Sequence, residues 1–246
     1  MKKNQEPMDV PFVLASGSPR RRALLARVRR RFSIRESGVP EPVPRRPVKA
    51  RFYVLRSATR KARAVARRVP RGWVLGADTE VVRRGRVFGK PRDAADAARM
   101  LTDLSGRWHQ VFTGLALIER PSNRLWTAAA RTDVKIRALS PAAIARHAQT
   151  NHDKAGAYAA QARGNPFVEK HRGPYDNIVG LPLAALRALL RRAEKTKNPN
   201  FSVGARTARS EAVDFSTKKA KSMQGHRKNF LRKKKPDIAP RIPRSK

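Results

Sequence analysis

With 246 residues and 40% hydrophobic content the chain can bury a substantial core, as one large domain or two small ones, and its formal net charge of +39 calls for polyanionic company. Charge alone does not choose among nucleotide phosphates, nucleic acid and acidic surfaces, and Arg dominates over Lys through most of the chain, so part of it is explicable as solvated surface. The lack of cysteine excludes disulfides and thiolate metal sites. The start "MKKNQEPMDVPFVLASGSP" is too poor in apolar residues for a signal-peptide core, and "IVGLPLAALRALL" is too short and is interrupted by Arg187, so a cytoplasmic protein without membrane contact is expected.

In chain order, "PFVLA" reads as a short strand and "SPRRRALLARV" as a helix with Leu24, Leu25 and Val28 on one face, opened by Ser18 and Pro19. "RFSIRESG" is extended and Arg51 to Arg68 helical. "WVLGADTEVV" and "GRVFGKP" are strands around a turn at "RRG", after which Asp93 caps a helix whose Ala97, Met100, Leu101 and Leu104 share a face. "HQVFTGLALIE" and "RTDVKIRAL" are strands, Ser140 and Pro141 open a short helix, and "DKAGAYAAQARG" is a small-residue turn around a site. "FVEKHRG" is a strand and "LPLAALRALLRR" the closing amphipathic helix. Strands alternating with helices and hairpins predict a mixed α/β sheet. From Glu194 onward apolar residues are sparse and 16 Lys and Arg stand against 4 Asp and Glu, which predicts a disordered basic tail.

Asp78 stands inside an apolar strand, where a buried, unpaired carboxylate costs several kcal/mol, so it must meet cations, a metal or backbone donors. Lys90, Arg20, Arg21 and Lys61 are the available cations; Lys90 is expected to lie back near Asp78 across the hairpin. An ordinary buried salt bridge is the competing explanation. Against it stands "LASGSPRRRALL": a helix N-terminus with free backbone N–H groups, hydroxyls at Ser16 and Ser18, and adjacent guanidinium groups make a phosphate cradle. A carboxylate beside a phosphate cradle suggests Mg²⁺-assisted phosphoryl chemistry, with Glu41 or Glu36 as a second oxygen donor. Walker A, GxGxxG and GxSxG patterns are absent, and the five histidines show no zinc spacing.

Taken together, "LASGSPRRRALL", "LGADTEVV", "GKP", "LSGRWHQVFTGLAL", "DKAGAY", Gln161 and "FVEKHRGPYDNIVGLP" resemble the Maf family of nucleoside triphosphate pyrophosphatases over roughly residues 11 to 192. The resemblance implies an elongated mixed α/β sheet with flanking helices and a deep central cleft, a divalent cation (Mg²⁺ or Mn²⁺), and hydrolysis of a nucleoside triphosphate to monophosphate and pyrophosphate. By motif match Asp78 takes the catalytic position, Glu41 the other cleft carboxylate and metal position, and Ser16, Arg20, Arg21, Lys61 and Lys90 the phosphate-binding positions. Arg20, Thr79 and Gln161 fall where the dTTP/UTP branch differs from the 7-methyl-GTP branch, and they match the former. The chain departs from the family in a shortened loop before Asp153 and in Ala159 and Ala162, where the family prefers glycine. The expected organisation is an extension over 1–10, the nucleotide domain over 11–193 and the tail over 194–246. The alternatives are a 7-methyl-GTP pyrophosphatase and a basic nucleic-acid-associated platform; non-specific nucleic acid at the tail and a homodimer are the partners weighed beside the nucleotide.

Overall fold

The computed structural model describes residues 10–149, 155–158 and 167–197. Gln161, the loop around Asp153 and the tail beyond residue 197 lie outside the described residues.

A seven-stranded mixed sheet organises the chain. Its strands are β1 (Phe12–Leu14), β2 (Ser33–Ile34), β3 (Gly72–Arg83), β4 (Arg86–Phe88), β5 (Trp108–Arg120), β6 (Leu125–Ile136) and β7 (Val168–Arg172). The order is β2-β1-β3-β5-β6-β7, with β4 added to β3. β1 is parallel to both β2 and β3, and the other pairs are antiparallel. The helices are α1 (Pro19–Ala26), α2 (Ala50–Ala66), α3 (Ala94–Leu104), α4 (Pro141–Ala148), α5 (Tyr175–Val179) and α6 (Leu183–Lys197).

Local chemistry explains most boundaries. Asp93 Oδ1 accepts from the Asp96 amide at 2.7 Å, and Ser140 Oγ accepts from the Ala143 amide at 3.2 Å, so both expected caps form at α3 and α4. Ser18 makes no side-chain cap on α1; Pro19 alone supplies the expected first-turn chemistry there. The β3–β4 hairpin turns on Arg84 and Gly85, both at positive φ (49° and 76°), as a two-residue turn between twisted strands requires. β6 begins at Leu125, earlier than "RTDVKIRAL" suggests, and the short α5 has no counterpart in the sequence reading.

Alternation along β3 sorts the core into two faces. Trp73, Leu75 and Ala77 join Leu24 and Leu25 of α1 and Leu186 and Leu189 of α6 on one face. Val74 faces the other way, with Ala58, Ala62 and Val65 of α2. A third cluster gathers Val81, Val111, Ile178, Tyr158 and the buried stripe of α3. α2 lies on the sheet almost backbone to backbone: a Cβ on Gly76 would come within 2.3 Å of the Ala58 carbonyl, and one on Gly114 within 2.4 Å of the Val54 carbonyl. Glycine is therefore required at both crossings, and the close approach brings Lys61 down onto the strand beside it.

One edge of β3 is interrupted, and this positions the site. β5 pairs with the whole of the opposite edge, Gly72 to Val82. On the free side β1 pairs only Trp73–Leu75 and β4 only Val81–Arg83, which leaves the edge between them without a strand among the described residues.

Candidate active site

A cleft of about 770 Å³ opens at that gap. Its lining includes Ser16, Arg20, Arg21, Glu41, Lys61, Asp78, Thr79 and Lys90, so every expected site residue within the described chain meets there. The chain reaches the cleft at the end of β1, where Ser16 to Ser18 turn into α1, and at the end of β4, where Gly89 and Lys90 follow.

Asp78 is 3% exposed, and its Oδ1 accepts from Lys61 Nζ at 2.5 Å. The same ammonium lies 2.5 Å from Glu41 Oε1, so one buried cation bridges the two carboxylates. Lys90 is not the partner of Asp78: its Nζ lies 3.8 Å from Glu41 Oε2, on a side chain that is 62% exposed. The hairpin pairing ends at Phe88, so Lys90 leaves the strand register before it can reach across to Asp78. The Glu41 loop is held to α2, since Tyr53 donates to the Pro42 carbonyl at 2.6 Å and Arg60 to the Pro40 carbonyl at 3.0 Å. Burial pushes Glu41 up, but the Lys61 hydrogen bond and charge, with Lys90 and Arg21, outweigh it and hold the carboxyl below its ordinary value.

The two arginines of the cradle part company. Arg21 donates from Nε to the Gly180 carbonyl (3.0 Å), from Nη1 to Ser16 Oγ (3.0 Å) and from Nη2 to Thr79 Oγ1 (3.1 Å). It thereby ties α1, β3 and the α5–α6 junction together. Burial lowers its pKa, against the opposing pull of Asp78 and Glu41. Arg20 Nε, by contrast, is buried without a hydrogen-bond partner and lines the cleft. Arg22 is exposed, and Glu36 lines the cleft beside Gly17.

Several residues of the site escaped the sequence reading. Glu80, two positions beyond Asp78 and hence on the same face of β3, is 8% exposed in the cleft wall. Burial first and the Asp78 charge second push its carboxyl well above the ordinary range. The period-2 pattern of "GADTEVV" carried that signal. Thr113 shares a hydrogen bond with Thr79 (Oγ1 to Oγ1, 2.9 Å) and donates to the Asn177 carbonyl at 3.1 Å. Asn177 Nδ2 donates to the Val111 carbonyl and to Thr132 Oγ1, both at 3.0 Å, which pins α5 to the sheet. No sequence signal marked this network.

Asp78 Oδ2 and Glu80 Oε2 are both buried without a hydrogen-bond partner. Such orphaned hard oxygens suit a divalent cation of the Mg²⁺ type. Among the described residues no three or more His, Asp or Glu are grouped to hold a metal by themselves. The arrangement therefore fits a cation that takes one or two carboxylates and completes its shell with substrate oxygens.

A mixed sheet with an interrupted edge, an acid–base pair in the gap and a helix N-terminus with a cleft-lining guanidinium beside it define a phosphate-handling α/β protein. The chain belongs to the Maf-like protein family, whose model matches residues 11–193. A dTTP/UTP pyrophosphatase of Myxococcus xanthus is 47% identical over 184 residues, 74% of this chain and 92% of that protein. One from Moorella thermoacetica is 49% identical over 182 residues (73% and 93%), and one from Gloeobacter violaceus 45% over 187 (74% and 96%). No described helix is long and apolar enough to cross a membrane.

Proposed function

We propose that this chain is a nucleoside triphosphate pyrophosphatase that hydrolyses dTTP and UTP to the monophosphate and pyrophosphate in the cytoplasm. The observation that carries the reading is Asp78: buried at the free edge of β3, with one oxygen held by Lys61 and the other without a protein partner. The names of the relatives supply the substrate class.

In this reading Asp78 orients the attacking water and accepts its proton while the bond between the α- and β-phosphates breaks. Arg20 and Lys90 absorb charge on the departing pyrophosphate, and the amides at the start of α1 receive phosphate oxygens. Lys61 fixes the Asp78 carboxylate and takes no part in the proton transfer. Asp78 and Glu41, with Glu80 Oε2 as a further unpartnered oxygen on the Asp78 face, would hold a divalent cation, which would neutralise phosphate charge. Arg20, Thr79 and Gln161 select the base: the Gln161 amide offers both a donor and an acceptor to a pyrimidine edge, where a Glu would only accept.

A pyrophosphate-release assay over a nucleotide panel tests this. dTTP and UTP are expected to turn over at least about tenfold faster than 7-methyl-GTP, which needs only about 1.4 kcal/mol of differential transition-state binding. Asp78→Asn is expected to lose about 10²-fold or more in kcat while remaining folded. A preference for 7-methyl-GTP, or full activity in the variant, overturns the corresponding part of the reading.

A further inference from the structure

The carboxylates of the cleft lie on the α2 side of β3, yet the same cavity continues past the edge of β3 onto the opposite face of the sheet, where α1 packs. Asp78 and Glu80 point toward α2. Val81 points the other way, and with Val111, Ile178, Ala155 and Tyr158 it lines an apolar part of the cleft. The aliphatic side chains cannot stabilise phosphate, and the Tyr158 hydroxyl is taken up by His109. A flat aromatic heterocycle is the portion of a nucleotide that gains from such a wall.

Tyr158 is the aromatic member, and its placement is built rather than incidental. It is 5% exposed, and its hydroxyl lies 2.7 Å from Nε2 of His109, a residue with no exposure at all. The two rings meet edge to face, with centroids 5.4 Å apart and an interplanar angle of 74°. The backbone leading into Tyr158 is costly to form: Gly156 and Ala157 both have positive φ (71° and 58°), the second on a residue with a Cβ. That turn is clamped by the hydrogen bond from the Gly156 amide to the Gly89 carbonyl (3.1 Å), next to Lys90, and by burial of Ala157.

A Phe and a Leu would fill the same space without burying an imidazole and a phenol. Dry polar groups are expensive unless they satisfy each other, so packing alone does not call for this pair. What a single short hydrogen bond adds to a packed ring is a fixed position.

We propose that Tyr158 is a nucleobase-contacting wall of the cleft and that His109, buried behind it, is the positioning residue that sets its ring through the hydroxyl-to-Nε2 hydrogen bond. The proposal rests on the nucleotide reading of the cleft but not on which base is preferred. Neither residue belongs to the phosphate cradle at Ser16–Arg21, so their effect is expected on the base and not on the polyphosphate.

The test compares two probes by calorimetry: a dTTP analogue with an α,β-imido bridge that resists cleavage, and inorganic tripolyphosphate, which has no base. Tyr158→Phe and His109→Leu are each expected to weaken the dTTP analogue about five- to tenfold and tripolyphosphate by less than about twofold, with KM rising and kcat within about twofold. The double variant is expected to be no worse than either single one, because both remove the same bond. His109→Gln, which can still pair with the hydroxyl, is expected to recover most of the loss, and it serves as the readout should His109→Leu fail to fold. Equal weakening of both probes, or no weakening of either, overturns the proposal. A parent chain that binds another nucleoside triphosphate in preference to dTTP refutes the substrate reading alone, and the comparison is then run with an imido analogue of that nucleotide. A parent chain that binds tripolyphosphate and no nucleotide refutes both.

Discussion

Replacing Lys61 by Met removes the ammonium that bridges Asp78 and Glu41 while keeping a side chain of similar length. Lys61 is 4% exposed and Asp78 3%, so the pair is dry, and loss of the cation leaves Asp78 with neither carboxylate oxygen partnered. Breaking a buried ion pair from one side costs about 3–5 kcal/mol, since the remaining charge loses its partner but not its burial. The Glu41 side chain is 40% exposed, so solvent screens its half of the bridge and it adds at most about 1 kcal/mol. At this chain length the total corresponds to a fall in melting temperature of roughly 6–24 °C. The decisive assay is a double-mutant cycle in urea with Asp78→Asn, whose neutral amide no longer needs the cation. Lys61→Met with Asp78→Asn is expected to recover at least about 2 kcal/mol over Lys61→Met alone. A coupling below about 0.5 kcal/mol would show that the two groups are stabilised independently, and the role assigned to Lys61 would fall.

Arg21→Lys keeps the charge but replaces the fork whose three nitrogens reach Gly180, Ser16 and Thr79 by a single ammonium nitrogen, and a loss of about 1–3 kcal/mol is expected in urea unfolding. An unchanged midpoint would mean that the guanidinium does not tie the elements together. His109 gives a prediction in acid. Burial, aided by the Arg83 charge and opposed by the Arg107 backbone and Asp133, drops its pKa from 6.5 to about 4. Above pH 6.5 the imidazole is neutral whether the chain is folded or not. Between 6.5 and about 4 only the unfolded chain takes up the proton, so stability falls as pH falls through that window, by on the order of 3 kcal/mol. His109→Gln is expected to flatten the stability profile across the same window, and an identical profile in parent and variant would refute the assignment.

How much of this was legible in the sequence depended on whether the signal was local. Asp93, Ser140 with Pro141, and the turn at Arg84 and Gly85 each carry their own cap or turn chemistry, and all three elements form where they are expected. The first half of β6, "LWTAAA", has weak strand propensity, yet it pairs along β5 from Ile118 to Thr113. α5 is five residues long, too short for any periodicity, and is held by the Asn177 hydrogen bonds. Tertiary pairing supplied what local preference lacked.

The cleft residues teach the same lesson more sharply, because adjacency in sequence is a poor guide to adjacency in a strand. Asp78 and Thr79 are neighbours, and a hydroxyl beside the carboxylate is the natural reading of "GADTEVV". Successive residues of a strand face opposite sides, so Asp78 turns to Lys61 on α2 while Thr79 turns to Arg21, Thr113 and Gly180. The hydroxyl of Thr79 is therefore engaged with the elements that frame the cleft, not with Asp78. The same alternation makes Glu80 the true companion of Asp78 on its face, and a strict period-2 reading would have found it. It could not have found Lys61, whose approach depends on the two glycines, Gly76 and Gly114, that let α2 settle against the sheet. Nor could it have divided Arg20 from Arg21. Consecutive positions on a helix differ by about 100°, and which of two guanidinium groups meets Ser16, Thr79 and Gly180 is settled by how α1 packs on the sheet.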